Sequence, residues 1–413
     1  MFFIRLKIGI LLGIILVVCT CIDPYTPNLK GYESLLSVDA LFTDGNTPCT
    51  VRLTRTMQNQ NDIPPAVSDA NVYLTDDAGN SSTLINAGGG IYKTDTKEFT
   101  GIVGRTYVLH INTSDGNEYE SEPGLMQSVS DIDSIYFEKD HQLINNASQS
   151  LDGISIYINT KEGKNQYYRW SYEETWKFRL PLVKTYDYVK IAFHPNEPFF
   201  RLLTNIKEFC WKTKKSDEIV LGSSHSVSSA RILKQPVIFI GTDQSDRLTL
   251  QYSILVSQYS ISKKEYDFWN NLQQINEIGG DIFAKQPYTV ISNIKNIHKP
   301  DERVLGYFQV SAIKQRRKYI SFKDISTLNL PFYHYPCQRL SKDRSDVPHP
   351  PGVTPTWDEL YSMFCETSDY TFVEPLFSSG TYDIDKLIFA RPECSNCELT
   401  GTSKKPDFWV DLN

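Results

Sequence analysis

The chain has 413 residues, 40% of them hydrophobic and 22% charged, which suggests two or three domains and excludes both global disorder and a multi-span membrane protein. Lys and Arg number 42 against 49 Asp and Glu, a formal net charge of −7, so there is no basic excess to neutralise phosphates and nucleic acid is a poor partner. With 24 Tyr and 21 Phe against 4 Met, and much Thr, Val and Ile, the composition favours pleated sheet over helical bundles.

At the N-terminus Arg5 and Lys7 precede an apolar run from Ile8 to Val18, followed by Cys19-Thr20-Cys21. The run has signal-peptide length and is too short for a bilayer, which takes about 20 residues. Its end resembles a lipoprotein processing site, and Thr20 before Cys21 suits that chemistry better than the bulkier Val18 before Cys19. Residues 1–20 are therefore expected to be a removed signal and Cys21 the lipidated residue. The plainer alternatives are a secretory signal without lipid or an uncleaved anchor. Two or more acyl chains suffice for stable anchoring. Residues 21–33, with Pro24 and Pro27, read as an extended tether that reaches about 40 Å.

From Leu36 apolar residues alternate: Leu36, Val38, Ala40 and Phe42, then Val51 and Leu53, Val72 and Leu74, Tyr107, Leu109 and Ile111. Period two means half-buried strands. Asp76-Asp77-Ala78-Gly79-Asn80, Gly88-Gly89-Gly90 and Ser114-Asp115-Gly116-Asn117 between them supply turn chemistry. Residues 34–128 are thus expected to form an immunoglobulin- or transthyretin-like β-sandwich.

Residues 129–413 read as a larger β-rich domain with one or few helices. Ile154, Ile156 and Ile158 alternate, and Tyr168, Trp170 and Tyr172 share one strand face. Further strands are predicted at 237–241, 248–258, 304–314 and 319–322. Ser262 and Glu265 have capping-box spacing, and Phe268, Trp269, Leu272 and Ile275 then make one helical stripe, best read as packing onto its own sheet. Gly279-Gly280 supplies the stop. Past Leu330 the pattern loses period, with Pro348, Pro350, Pro351 and Pro355 in a loop-like stretch of the kind that carries function. The exposed-looking aromatics there, Tyr333, Tyr335 and Trp357, are the candidate partner-binding residues, although most strand aromatics are core.

Several segments together resemble one family: Tyr168-Arg169-Trp170-Ser171-Tyr172-Glu173-Glu174-Thr175-Trp176, Tyr252-Ser253-Ile254-Leu255-Val256 with Gln258-Tyr259-Ser260, and Tyr266-Asp267-Phe268-Trp269. Leu305-Gly306-Tyr307-Phe308, Cys394-x-x-Cys397 and Lys405-Pro406-Asp407-Phe408-Trp409 agree, as do Asp69-Ala70-Asn71-Val72, Asp76-Asp77 and Gly104-Arg105-Thr106-Tyr107. The chain is similar over nearly its whole mature length to outer-membrane lipoproteins of Bacteroidota grouped as domain of unknown function family 4249. Cys49 and Cys365 depart from that pattern. The resemblance implies an envelope lipoprotein often associated with TonB-dependent outer-membrane receptors, and it carries over no catalytic residue.

Six cysteines remain beyond the processing site: Cys49, Cys210, Cys337, Cys365, Cys394 and Cys397. In an exported chain an even number favours disulfides, with fifteen connectivities open. A structural Cys394–Cys397 bond tying down the tail is the expectation. Redox use would need that motif to open a helix after a strand, and zinc would need a second close pair.

No two of the seven histidines have metal-pair spacing, so neither metal nor cofactor is expected. Gly222-Ser223-Ser224-His225-Ser226 lacks the G-x-S-x-G elbow and reads as a Ser-rich turn. Glu173 and Glu174 are adjacent and point to opposite strand faces, so they cannot act as a carboxylate pair. The basic run 314–318 reads as a solvated hairpin turn, with lipid phosphates or a receptor's acidic loops as the sharper alternative. The expected function is a non-enzymatic lipid-anchored accessory of an outer-membrane β-barrel, on the cell surface or the periplasmic face. An independent adhesin or glycan-binding lipoprotein is the rival, and an enzyme with a site assembled from distant residues is the third reading.

Overall fold

A computed structural model describes residues 33–57, 62–95, 99–144, 149–224, 230–278, 290–367 and 369–412. The expected signal, nearly all of the tether, Cys21, His225 and the Gly279-Gly280 stop lie outside the described residues. The protein is mainly β, as composition and period predict.

In the strand Leu36–Thr43 the alternating residues Leu36, Val38, Ala40 and Phe42 are all buried. It pairs antiparallel with Thr50–Arg55, setting Val38 opposite Leu53 and Ala40 opposite Val51, and that sheet continues through Ile91–Lys93 and Ile85–Gly88. The facing sheet runs Ser81–Thr83, Asn71–Asp76, Thr106–Asn112, Glu118–Ser121. Its Val72, Leu74, Leu109 and Ile111 share one core with Leu36, Val38, Val51 and Leu53, which is the sandwich the turn spacing predicts.

Residues 34–128 do not complete that sandwich. Ile294–Asn296 pairs with Glu118–Ser121, and Leu305–Ser311 runs parallel to Leu36–Thr43, bringing Ile294, Phe308 and Val310 into the same core. A boundary at residue 128 leaves these two strands out, because periodicity reports that a strand is half buried without saying which sheet receives it. The parallel join depends on Gly306, at φ +87°, where a Cβ would lie 1.9 Å from the Val38 carbonyl oxygen. Both the positive φ and the close approach require glycine.

A second sandwich follows. Ile132–Ile144, Gln149–Thr160 and Gln235–Gly241 form one antiparallel sheet. Phe209–Lys215, Tyr167–Arg179, Gln251–Ser260 and Ile313–Ser321 form the other. Ile154, Ile156 and Ile158 meet Tyr168, Trp170, Tyr252 and Ile254 in their shared core. Gln251–Ser260, one of the two interior strands, is covered on both faces. Its second face is sealed in part by the C-terminal tail, where Gln251 bonds the Val410 carbonyl and the Leu412 amide (2.6 and 3.1 Å).

The basic run is not a hairpin turn. Ile313–Ser321 is one continuous strand paired with the interior strand Gln251–Ser260, from Ile313 opposite Tyr259 to Ser321 opposite Gln251. Its cations are used within the fold: Arg316 donates to the carbonyls of Ile132 and Asp133 on the other sheet, and Arg317 donates to Ser253 (2.9 Å) and lies 3.7 Å over the Phe408 ring. Long cationic stems can cover a sheet face, so charge density alone does not mark a turn.

The predicted helix is present as Lys263–Ile278, with the Ser262 hydroxyl accepting from the Glu265 N–H (3.1 Å). Glu265 does not act as an exposed capping partner; it turns inward and accepts from Trp269 Nε1 (3.3 Å). Phe268 is buried against Tyr307, ring centroids 4.7 Å apart, so the stripe packs on the molecule's own strands. Among the described residues no helix is long and apolar enough to cross a membrane.

The C-terminal stretch is more regular than its sequence suggests. A Thr356–Glu359 capping box starts the helix Trp357–Cys365, and Thr371–Phe377, Ile384–Ala390 and Leu340–Lys342 form a small sheet. Trp357, Leu360, Phe364, Phe372, Leu387 and Phe389 make a separate core. The hairpin Tyr186–Val189 with Phe199–Leu202 packs on it through Tyr188 and Phe200.

Candidate partner-binding site

The cysteines define how the C-terminal part is held. Among the described residues the bonds are Cys337–Cys394 and Cys210–Cys397, so the local Cys394–Cys397 bond expected from spacing is not formed. The two cysteines sit on successive short helical turns, Pro392–Cys394 and Cys397–Thr400, and face different surroundings. Cys394 packs with Val373, Ile388 and Ala390; Cys397 joins the central core beside Cys210 and Phe178. The bonds close loops of 57 and 187 residues, and loop-closure entropy puts their stabilisation at about 4 and about 5 kcal/mol taken singly. Cys49 and Cys365 are free thiols. Burial pushes the Cys49 thiol far up and that of Cys365 up to about 11, so both stay protonated and are poor nucleophiles at neutral pH.

Just ahead of Cys337 the chain Leu330-Pro331-Phe332-Tyr333-His334-Tyr335-Pro336 crosses the end of the central sheet as a strap. Under it lies a cavity of about 250 Å³ with Leu248, Ile325 and Leu330 as floor and Phe322, Phe332, Tyr333 and Tyr335 as walls. Tyr333 and Tyr335 meet edge to face at 5.0 Å, and Phe322 and Phe332 lie 5.4 Å apart. Phe332 is 51% exposed and forms the lip. Burial pushes the Tyr335 phenol up to about 12, with the neighbouring Thr249 hydroxyl opposing and Asp246 and Tyr333 adding to the shift; burial also raises Tyr333, reinforced by Asp246. Both phenols therefore stay neutral and can donate. Cys337, two residues beyond Tyr335, ties the strap to Cys394.

Tyr333 and Tyr335 are thus brought together, and Trp357 is not with them. Trp357 is 5% exposed, a core residue under the Arg344 guanidinium at 5.2 Å. It opens an amphipathic helix whose Trp357, Leu360 and Phe364 face the small sheet, so its place beside a proline-rich stretch is misleading. Phe322 and Phe332 escaped the sequence reading. The signal that could have found Phe332 is the aromatic run bracketed by Pro331 and Pro336.

The charged residues of the motif strands lie elsewhere. Glu174, 1% exposed, accepts from the Tyr252 hydroxyl (2.9 Å) beside Arg247 (3.2 Å). Burial raises its pKa against the pull of Arg247. Glu173 faces the other way, as strand geometry demands. Asp246 accepts from Trp176 Nε1 (2.9 Å) and Lys212 (2.8 Å). At the helix, Arg169 donates to Gln309 (2.7 Å) and lies 4.2 Å over the Trp269 ring. Burial pushes nearby Glu265 up to about 8, with Arg169 opposing. These groups tie strands to each other and to the helix, and of them Asp246 alone also acts on the cleft, through its charge beside Tyr333 and Tyr335. Among the described residues no three His, Cys, Asp or Glu side chains are placed to hold a metal ion.

No curated protein matches the chain. A family match covers residues 22–317; it takes in the motif strands, the helix and Gly306, and ends before the strap, the bonded Cys394 and Cys397, and the tail. Extending over well more than half of the sequence, it shows that the chain belongs to the family described as Domain of unknown function (DUF4249).

Proposed function

We propose that this protein is a lipid-anchored envelope protein that binds rather than catalyses, serving as an accessory or binding subunit of an outer-membrane β-barrel, with a TonB-dependent receptor as the favoured partner. The anchor rests on Arg5, Lys7, the apolar run 8–18 and Cys21. The observation that carries the binding role is the aromatic cleft, three rings on a strap stapled by Cys337–Cys394 and a fourth, Phe322, facing them from the helix Phe322–Ser326. A covalently held strap presents Tyr and Phe with little ordering left to lose on association, which is how rigid scaffolds carry recognition. The buried carboxyl groups Glu174 and Glu265, both raised by burial, are used inside the core, which supports binding over acid–base chemistry. The rival reading, a free-standing adhesin or glycan-binding lipoprotein, draws on the same cleft, because aromatic walls with phenol and Thr hydroxyls also suit one face of a sugar ring.

The test uses the full chain recovered from membranes in mild detergent. A β-barrel should co-purify with the wild type and be lost with Phe332→Ser plus Tyr333→Ala, two strap residues whose replacement leaves the core intact. A double variant that keeps the barrel but loses binding to immobilised glycans would refute the accessory role in favour of the adhesin.

A further inference from the structure

The hairpin of Tyr186–Val189 and Phe199–Leu202 carries at its tip the loop 190–198, which is fixed from several sides. Within it, the Ile191 carbonyl accepts from the His194 N–H (3.0 Å) and the His194 carbonyl from the Glu197 N–H (3.1 Å). From outside, the Asp358 N–H donates to the Pro195 carbonyl (3.2 Å), Arg344 reaches the Asn196 side chain (3.4 Å), and Lys190 donates to Ser362 (2.8 Å) and Glu366 (2.6 Å). Pro198 is buried. The proline-rich stretch and its helix thus buttress this loop.

On that frame Phe193 sits at φ +66° and is 98% exposed. It occupies the third position of the Ile191–His194 turn, where a positive φ normally calls for Gly or Asn. A left-handed conformation is costly for a residue with a Cβ, and a bare aromatic ring forgoes burial, so this residue works against the fold on both counts. Outliers of this kind gather where strain serves function. Ile191 and Phe199 in the same segment are also exposed.

We propose that Phe193 is the anchor of a protein–protein contact, a single aromatic ring presented by a braced turn to an apolar pocket of a folded protein partner. Its rim favours a protein over a lipid surface. Lys190 pairs with Glu366, Arg201 with Asp187 and His194 with Glu197, the mixed polar ring around one aromatic centre found at interface hot spots. A lipid surface selects several apolar side chains with a consistently basic flank. The inference rests on the accessory-subunit reading and adds a contact separate from the strap.

The experiment compares wild type, Phe193→Gly and Phe193→Trp in detergent-solubilised membranes, alongside Phe193→p-benzoylphenylalanine for photocrosslinking. Phe193→Gly relieves the strained φ, so its melting temperature should equal or exceed the wild type's, while recovery of the β-barrel drops at least about tenfold. Phe193→Trp should keep recovery, and the crosslinker should capture the barrel polypeptide. If Phe193→Gly recovers the barrel as well as wild type, or the crosslinker labels lipid alone, the Phe193 assignment falls while the accessory reading stands. If the wild type itself recovers no barrel, both fall.

Discussion

Replacing Cys337 and Cys394 together by Ala separates the covalent staple from the packing around it. The bond closes a loop of 57 residues, worth about 4 kcal/mol by loop-closure entropy. Part of this is already supplied by Cys210–Cys397, because residues 337–394 lie inside the loop closed by that bond. Cys394 packs among Val373, Ile388 and Ala390, so Ala avoids the added cost of burying a hydroxyl. A loss of about 2–4 kcal/mol is therefore expected, read as a lower guanidinium midpoint with both proteins kept under non-reducing conditions. The strap should loosen as well, and barrel recovery should fall more than stability alone explains. Non-reducing peptide mapping checks the premise: the wild type should yield one peptide pair linking Cys337 to Cys394 and another linking Cys210 to Cys397. A Cys394–Cys397 peptide, or a double variant within about 0.5 kcal/mol of wild type, would refute the reasoning.

Gly306→Ala should destabilise by at least about 2 kcal/mol, since it adds left-handed strain to a backbone clash with Val38; chemical denaturation that shows no loss would mean the parallel join is not formed in solution. Glu265, raised from the ordinary 4.5 to about 8 by burial, binds a proton in the folded state that the unfolded state has released. Its contribution is therefore full below about pH 4.5 and is lost as pH rises through about 8; Glu265→Gln should flatten that window in a comparison of stability against pH, and equal slopes would reject it. Trp357→Ala should cost about 3–5 kcal/mol as a core deletion; loss of partner binding at unchanged stability would return the indole to the recognition surface. Cys21→Ser should release the protein from membranes, and mass analysis of the mature wild type should find acylated Cys21, whereas acylated Cys19 would overturn the assignment.

What could be read from the sequence was what is encoded locally. The alternation at Leu36, Val38, Ala40 and Phe42 gave both strand and buried face, because period two has one structural meaning when turn residues bracket it. The Ser262 cap and the Phe268–Trp269 stripe placed a helix within a residue of its observed start. The opposite faces of Glu173 and Glu174 followed from the pleat alone. What failed was encoded at a distance. The parallel pairing of Leu36–Thr43 with Leu305–Ser311 joins residues some 270 positions apart, and the decisive mark in the sequence is a lone glycine, Gly306. Cysteine spacing favoured the near pair, although the surroundings of Cys394 and Cys397 differ and send each to a remote partner.

The same division explains the candidate sites. Tyr333 and Tyr335 were found because an aromatic run beside prolines is itself a local signal, but the cleft needs Leu248, Phe322 and Ile325 from segments that show only core-like patterning. Trp357 was misplaced because its neighbours to one side are prolines, while the helix that buries it announces itself only two residues on, in Glu359 completing a box with Thr356. Phe193 carries no local signal whatever: as a letter it is one Phe among 21. Its meaning arises from a turn that demands a positive φ and from Asp358 and Arg344, more than 140 residues downstream, that hold the turn in place. A residue that costs the fold energy can be recognised only once the fold that tolerates it is known, which is why the exposed tip, and not the conspicuous proline-rich stretch behind it, is the sharper place to look for a partner.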